Sequence, residues 1–106
     1  MKQFHNILVG QNAKENDFLW RNAEENDLWF HLKDTSSPHV ILRTSPDHES
    51  GDIRLAAQYV KMFSKEKTKK VSAVIYCHVK NIKGTKTKGE VILIKSPYTL
   101  RVTNTN

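Results

Sequence analysis

The side chains with chemical potential gather in one stretch, NDLWFHLKDTSSPHVILR, from Asn26 to Arg43. Trp29, His31, Lys33, Asp34, His39 and Arg43 lie close together there. Two imidazoles can bind a metal or move protons. A tryptophan beside cations can stack on a base. Metal binding is the least supported of these. The chain has five histidines, but no CxxC, HxH or HExxH spacing. Cys77 and His78 are neighbours, so on a strand they face opposite sides and cannot share one ion. Neither a metal nor any other cofactor is expected.

Nucleophilic chemistry fares little better. Cys77 sits in the apolar run VSAVIYCHV, where an inert buried thiol is the natural reading. Ser36 and Ser37 are turn residues near His39, without the Gly-rich elbow a serine nucleophile uses. A general acid–base pair of His31 and Asp34 is conceivable from spacing alone. KGTKTKG, from Lys83 to Gly89, departs from the phosphate-loop spacing. It can still attract a phosphate backbone as a set of point charges. The sequence therefore favours binding over catalysis. Trp29 can stack on a base or pack as core, and the histidines can touch a ligand or lock a hairpin through a carbonyl and Asp34. Both readings stand at this point.

The elements that must position these residues follow from periodicity. Gln3 to Val9 reads as a first strand ending at Gly10. Asn12 offers an N-cap with Glu15 three residues on, and a helix through about Ala23 follows, its inward stripe Asn16, Leu19, Trp20 and Ala23. Leu28 to Lys33 alternates, and so does His39 to Arg43 beyond a Thr-Ser-Ser-Pro break. A hairpin with Lys33 opposite His39 sets His31 against Ile41 and Trp29 against Arg43. The even positions then form a core face, and the odd positions an open polar and aromatic surface. Thr44 to Gly51 reads as a polar loop, with Ser50 or Asp52 as the next cap. The helix from Asp52 to about Lys65 buries Ile53, Ala56, Ala57, Val60 and Phe63 and turns Lys61 and Lys65 outward. Val71 to Lys80 is a third strand region, Asn81 to Glu90 a basic loop, Val91 to Ile94 a short strand, and Tyr98 to Thr103 an edge strand. The last three residues are expected to fray. The expectation is one α+β domain over residues 1–106 (core about 3–103): a largely antiparallel mixed sheet of about six strands with two helices.

Charge divides the chain. Met1 to Ile53 carries 5 Lys and Arg against 9 Asp and Glu; Arg54 to Asn106 carries 12 against 2, within a total of +6. A basic half of that size favours a polyanion, although a solvated lysine surface would show the same counts. A lone cysteine cannot form an intramolecular disulfide and suits a reducing compartment. MKQFHNILVG is too short and polar for a signal peptide, and no run approaches the roughly 18 apolar residues of a membrane helix. A soluble cytoplasmic protein without a membrane partner is expected.

ILVGQNAKENDFLW, NDLWFHLKDTSSPHVILR, LAAQYVKMFSK and KVSAVIYCHVKNIKGTKTKGEVILI, in that order and spacing, resemble the NFACT-R domain from about Ile7 to Val102. The resemblance implies RNA binding. The best-known members of that family are multidomain ribosome quality-control factors that engage tRNA on obstructed large ribosomal subunits. They carry an NFACT module, helix-hairpin-helix motifs and coiled coils that this sequence lacks, so it resembles a solitary form of the domain. Carried over by position, the matching residues are Asn12, Asn16, Asp17, Asp27, Trp29, His31, Lys33, Asp34, His39 and Arg43, with Lys80 and Lys83. The residues expected to contact RNA are these without Asp27, joined by Lys61, Lys86 and Lys88. The sequence departs from the family at Ser37-Pro38, where many members have Gly-Ser before the second histidine; proline removes an N–H donor. The expected partner is tRNA or ribosomal RNA, with the ribosome or a separate NFACT-type protein beside it. Two alternatives remain: a module docking a ribosomal or NFACT-type protein, and a DNA-binding or small nucleic-acid-processing enzyme using His31 or His39.

Overall fold

Alternating apolar residues build a sheet whose two faces both meet other elements. In a computed structural model describing residues 1–44 and 50–104, strands β1 (Lys2–Phe4), β2 (Ile7–Val9), β3 (Leu28–Leu32), β4 (Val40–Leu42), β5 (Val71–His78) and β8 (Tyr98–Thr103) form one sheet. Its order is β1-β2-β4-β3-β5-β8, and every pairing in it is antiparallel. Strands β6 (Ile82–Gly84) and β7 (Val91–Leu93) make a separate antiparallel hairpin. The α+β class and the two helices agree with the sequence reading; the sheet is antiparallel among the described strands rather than mixed.

Helix α2 (Ser50–Met62) covers one face. Ala56, Ala57 and Val60 pack on Ile7, Val9, Leu28, Phe30, Leu32, Val40, Leu42 and Val74. The two alanines allow the helix to approach the sheet closely, and Phe30 and Val40 lose all contact with solvent. Helix α1 (Ala13–Arg21) and the β6–β7 hairpin cover the other face. Leu8, Trp29, Ile41, Ile75 and Cys77 meet Leu19 and Ile82 there. Burial pushes the Cys77 thiol up to about 11, which suits an inert side chain.

Asn12 caps α1 by accepting from the Glu15 amide at 2.9 Å, and Asn16 and Leu19 form its buried stripe with Trp20 and Ala23 partly buried. The stripe of α2 is likewise as periodicity demands. Other expectations change. The first strand is two, because the chain reverses at His5, whose φ is +55°. The β3–β4 register differs by two residues: Trp29 faces Ile41 and Phe30 faces Val40. At the turn end of that ladder both strands are claimed by side chains, since Ser37 Oγ accepts from the Leu32 amide and Asn16 Oδ1 from the His39 amide. Asn81 to Glu90 is not one loop, because Ile82 to Gly84 pairs with β7. Lys61 points inward and is 3% exposed. Its ammonium donates to the Glu66 and Lys69 carbonyls and to Ser72 Oγ, closing the turn after α2.

Of the polar loop expected from Thr44 to Gly51, residues 45–49 lie outside the described residues; the helix has already begun at Ser50, so Ser50 and Asp52 lie within it and not at its cap position. Of the three C-terminal residues expected to fray, 105–106 lie outside the described residues, and the Asn104 amide donates to the Lys70 carbonyl at 3.4 Å. Among the described residues no helix is long and apolar enough to cross a membrane.

Candidate nucleic-acid interface

The odd face of the β3–β4 hairpin is a second, smaller core with a cavity at one end. Trp29 is 2% exposed, so it is a wall and not a free stacking platform. Its indole Nε1 donates to His39 Nδ1 at 3.1 Å. That bond requires an unprotonated Nδ1, so the His39 proton sits on Nε2. Burial, then the nearby His31, pull the His39 pKa down to about 3, against a weaker upward pull from Asp17. His31 stacks on Trp29 at 5.4 Å with 13° between the planes, and its edge contact with His39 is 5.2 Å. The Leu32 carbonyl lies 2.7 Å from His31 Nδ1, which must donate. Burial lowers the His31 pKa while that carbonyl opposes it. The two histidines therefore lock each other, Trp29 and one carbonyl in fixed tautomers. Asp34 takes no part in the lock and is exposed.

Two glycines and Asn16 set the walls. A Cβ on Gly10 would lie 2.2 Å from Asn16 Oδ1, the oxygen that accepts from the His39 amide. Only glycine lets α1 seat there. Gly89 has φ +81°, and a Cβ on it would lie 2.9 Å from the Ala13 carbonyl. Its amide donates to Asp17 Oδ1 at 3.4 Å, which ties the β6–β7 loop to α1. Burial raises the Asp17 pKa, but Arg21, the Gly89 amide and Lys88 outweigh it and hold that carboxyl low. Arg21 pairs with Asp17 at 2.8 Å.

These contacts bring Asn16, Trp29, His31, His39 and Lys88 around one cavity of about 470 Å³. Ser36, Ser37, Thr87 and Gly89 also line it. Sequence reasoning treated the serines as turn residues and the loop as charge alone, so it had no signal for these walls. The other expected residues disperse. Asn12 is a cap. Lys33 and Asp34 are exposed beyond β3. Arg43 lies at the far end of β4 beside Asn22, Glu24 and Asp27, and Lys80 is exposed on the turn whose backbone bonds to Glu25. Lys83 is exposed on β6, Lys86 and Lys88 in the loop after it. Lys61 belongs to the opposite face. Asp27 is a staple: its carboxylate accepts from the Glu24 and Thr44 amides at 2.9 and 3.1 Å.

The model of the NFACT protein RNA binding domain matches residues 1–94, which takes in both helices, the histidine lock and the lysine hairpin. The chain belongs to the NFACT RNA-binding domain family. The Rqc2 homolog RqcH of Bacillus subtilis is 38% identical over 79 residues, covering 73% of this chain and 14% of that protein. RqcH of Streptococcus suis is 34% identical over 101 residues, covering 93% and 18%. This NFACT domain thus spans less than a fifth of the length of either relative. The solved structure of the C-terminal part of the fibronectin/fibrinogen-binding protein from Streptococcus suis superposes with a TM-score of 0.84 at 35% identity. It covers 93% of this chain and 41% of that one. In this member Pro38 has no N–H to donate, and its carbonyl accepts from Ser37 Oγ at 2.9 Å.

Proposed function

We propose that this NFACT domain binds structured RNA, tRNA or ribosomal RNA, in ribosome-associated quality control. The observation that carries the reading is the lysine array on the β6–β7 hairpin. Lys83, Lys86 and Lys88 are exposed there, with Lys80 just before it. Among the described residues no ion pair engages any of the four. Such charges attract phosphates through counterion release without reading sequence. The loop tie between Gly89 and Asp17 holds the array in place, which favours a folded RNA of fixed phosphate spacing. Family membership and the RqcH relatives support the same direction.

The test is a titration against folded tRNA and an unstructured RNA of equal length, at low and physiological salt. Preference for the folded RNA is expected to persist at physiological salt. Lys83→Glu with Lys86→Glu should weaken binding to both RNAs at least about tenfold and make the salt slope shallower by about 2. Unchanged binding would remove the hairpin from the interface. A domain that ignores naked RNA and saturates a ribosomal protein instead would be a docking module.

A further inference from the structure

The lysine array accounts for attraction but leaves the cavity beside it without a role. That cavity, about 470 Å³, falls in the size range of small-ligand sites. Its shape is an aromatic corner. His31 lies parallel to Trp29, and His39 stands at 86° to Trp29 and 82° to His31. A flat guest can lie along one ring and present its edge to the other.

The hydrogen-bonding capacity is also specific. With Nδ1 of His39 accepting from Trp29, its Nε2 is a donor. With Nδ1 of His31 donating to the Leu32 carbonyl, its Nε2 is an acceptor. The corner thus offers one donor and one acceptor on uncharged rings. Every nucleobase carries an acceptor beside a donor on its pairing edge, and unpaired bases are read in this way by proteins that splay single strands. A phosphate group fits poorly, because Ile75, Val91 and Leu93 supply much of the lining and Lys88 is its one cation among the described residues. Lys88 and Lys86 stand in the exposed loop that forms one wall, where the phosphates flanking an inserted base would run.

We infer that this corner receives a single unpaired nucleobase of the bound RNA, an inference that rests on the RNA-binding reading above. The lysines hold the backbone, and the histidine corner holds one base taken from it. Base–aromatic contacts of this kind are each worth about 5- to 150-fold in affinity by truncation.

The experiment compares a single-stranded RNA with a strand of equal length built from abasic ribose units. Each is titrated with the unaltered domain, with His31→Ala and with Ser36→Trp. Ser36 is exposed on the rim, so a tryptophan there plugs the entrance without entering the core. The unaltered domain is expected to bind the intact strand about tenfold better than the abasic one, with that preference lost in both variants. Their binding to the abasic strand should stay unchanged. Equal binding of both strands by the unaltered domain would overturn the base pocket while leaving RNA binding by the lysines intact. A preference that survives Ser36→Trp would also overturn it. Failure to bind either strand would overturn both readings together.

Discussion

The two faces of the central sheet are built on opposite principles. The face under α2 is an apolar layer, with Phe30, Val40, Leu42, Ala56 and Val60 closed to solvent and the buried Lys61 ammonium bonded to Ser72 at its edge. The face under α1 and the β6–β7 hairpin mixes Trp29, Ile41 and Ile75 with His39, Asn16 and a cavity. Burial is nearly as deep on both. The difference lies in what the buried groups can still do. On the first face burial stabilises and nothing more is asked of it. On the second, Trp29, His31, His39 and Asn16 are each tied to a named partner, which fixes the two imidazole tautomers and orients what remains, while the buried Trp20 Nε1 has no partner among the described residues. One face holds the domain together; the other uses that rigidity to present a site.

The largest expected effect breaks the first face. Phe30→Ala should cost about 3–5 kcal/mol in chemical denaturation, since a fully buried ring leaves a cavity that the alanine-tight helix cannot fill. RNA affinity of the fraction still folded should be unchanged. A loss of less than about 1 kcal/mol would mean that the α2 face is not the stabilising layer.

Lys61→Met is next and tests whether a lysine on that face is structural. It strands the Glu66 and Lys69 carbonyls and Ser72 Oγ, so a loss of about 2–3 kcal/mol is expected without any change in the salt slope of RNA binding. A changed slope at unchanged stability would return Lys61 to the interface.

The second face should carry the pH dependence. Folded His39 titrates at about 3, far below the 6.5 of an unperturbed histidine. Between those values the unfolded chain binds the extra proton. The stabilisation by neutral His39 is therefore complete above about pH 6.5 and is lost progressively as pH falls toward 3. His31 is shifted in the same sense. Denaturation at pH 7 and pH 5 should differ by about 2 kcal/mol from His39 alone, with most of that difference absent in His39→Gln. Equal stability at the two pH values would show that the ring is not held neutral.

The smallest effect concerns the seating of α1. Asn12→Ala removes one cap bond and should cost about 1 kcal/mol, read as a thermal shift of several degrees. Lys33→Ala, an exposed change nearby, is the comparison and should shift neither stability nor fold.

Local chemistry was legible in the sequence by itself. Helix spacing located Ala56, Ala57 and Val60, Asn12 with Glu15 three residues on located the α1 cap, and period-two alternation separated Leu28, Phe30 and Leu32 from Trp29 and His31. These depend on bonds and neighbours within a few residues. The ordered motifs were enough to place the chain in the NFACT RNA-binding family. Only the tertiary structure decided what covers each face. A strand pattern says that Trp29 and His31 share a side, but not that α1 and the β6–β7 hairpin close over it, because that depends on contacts far apart in the chain, such as Gly89 to Asp17. The two-residue register change has the same origin: Asn16, from a different element, takes the His39 amide. Lys61 is misread from periodicity because lysine is rarely buried, and helical spacing does not show that the Glu66 and Lys69 carbonyls turn back onto its ammonium. Which residues can do chemistry was written locally, and which of them meet was decided by packing at a distance.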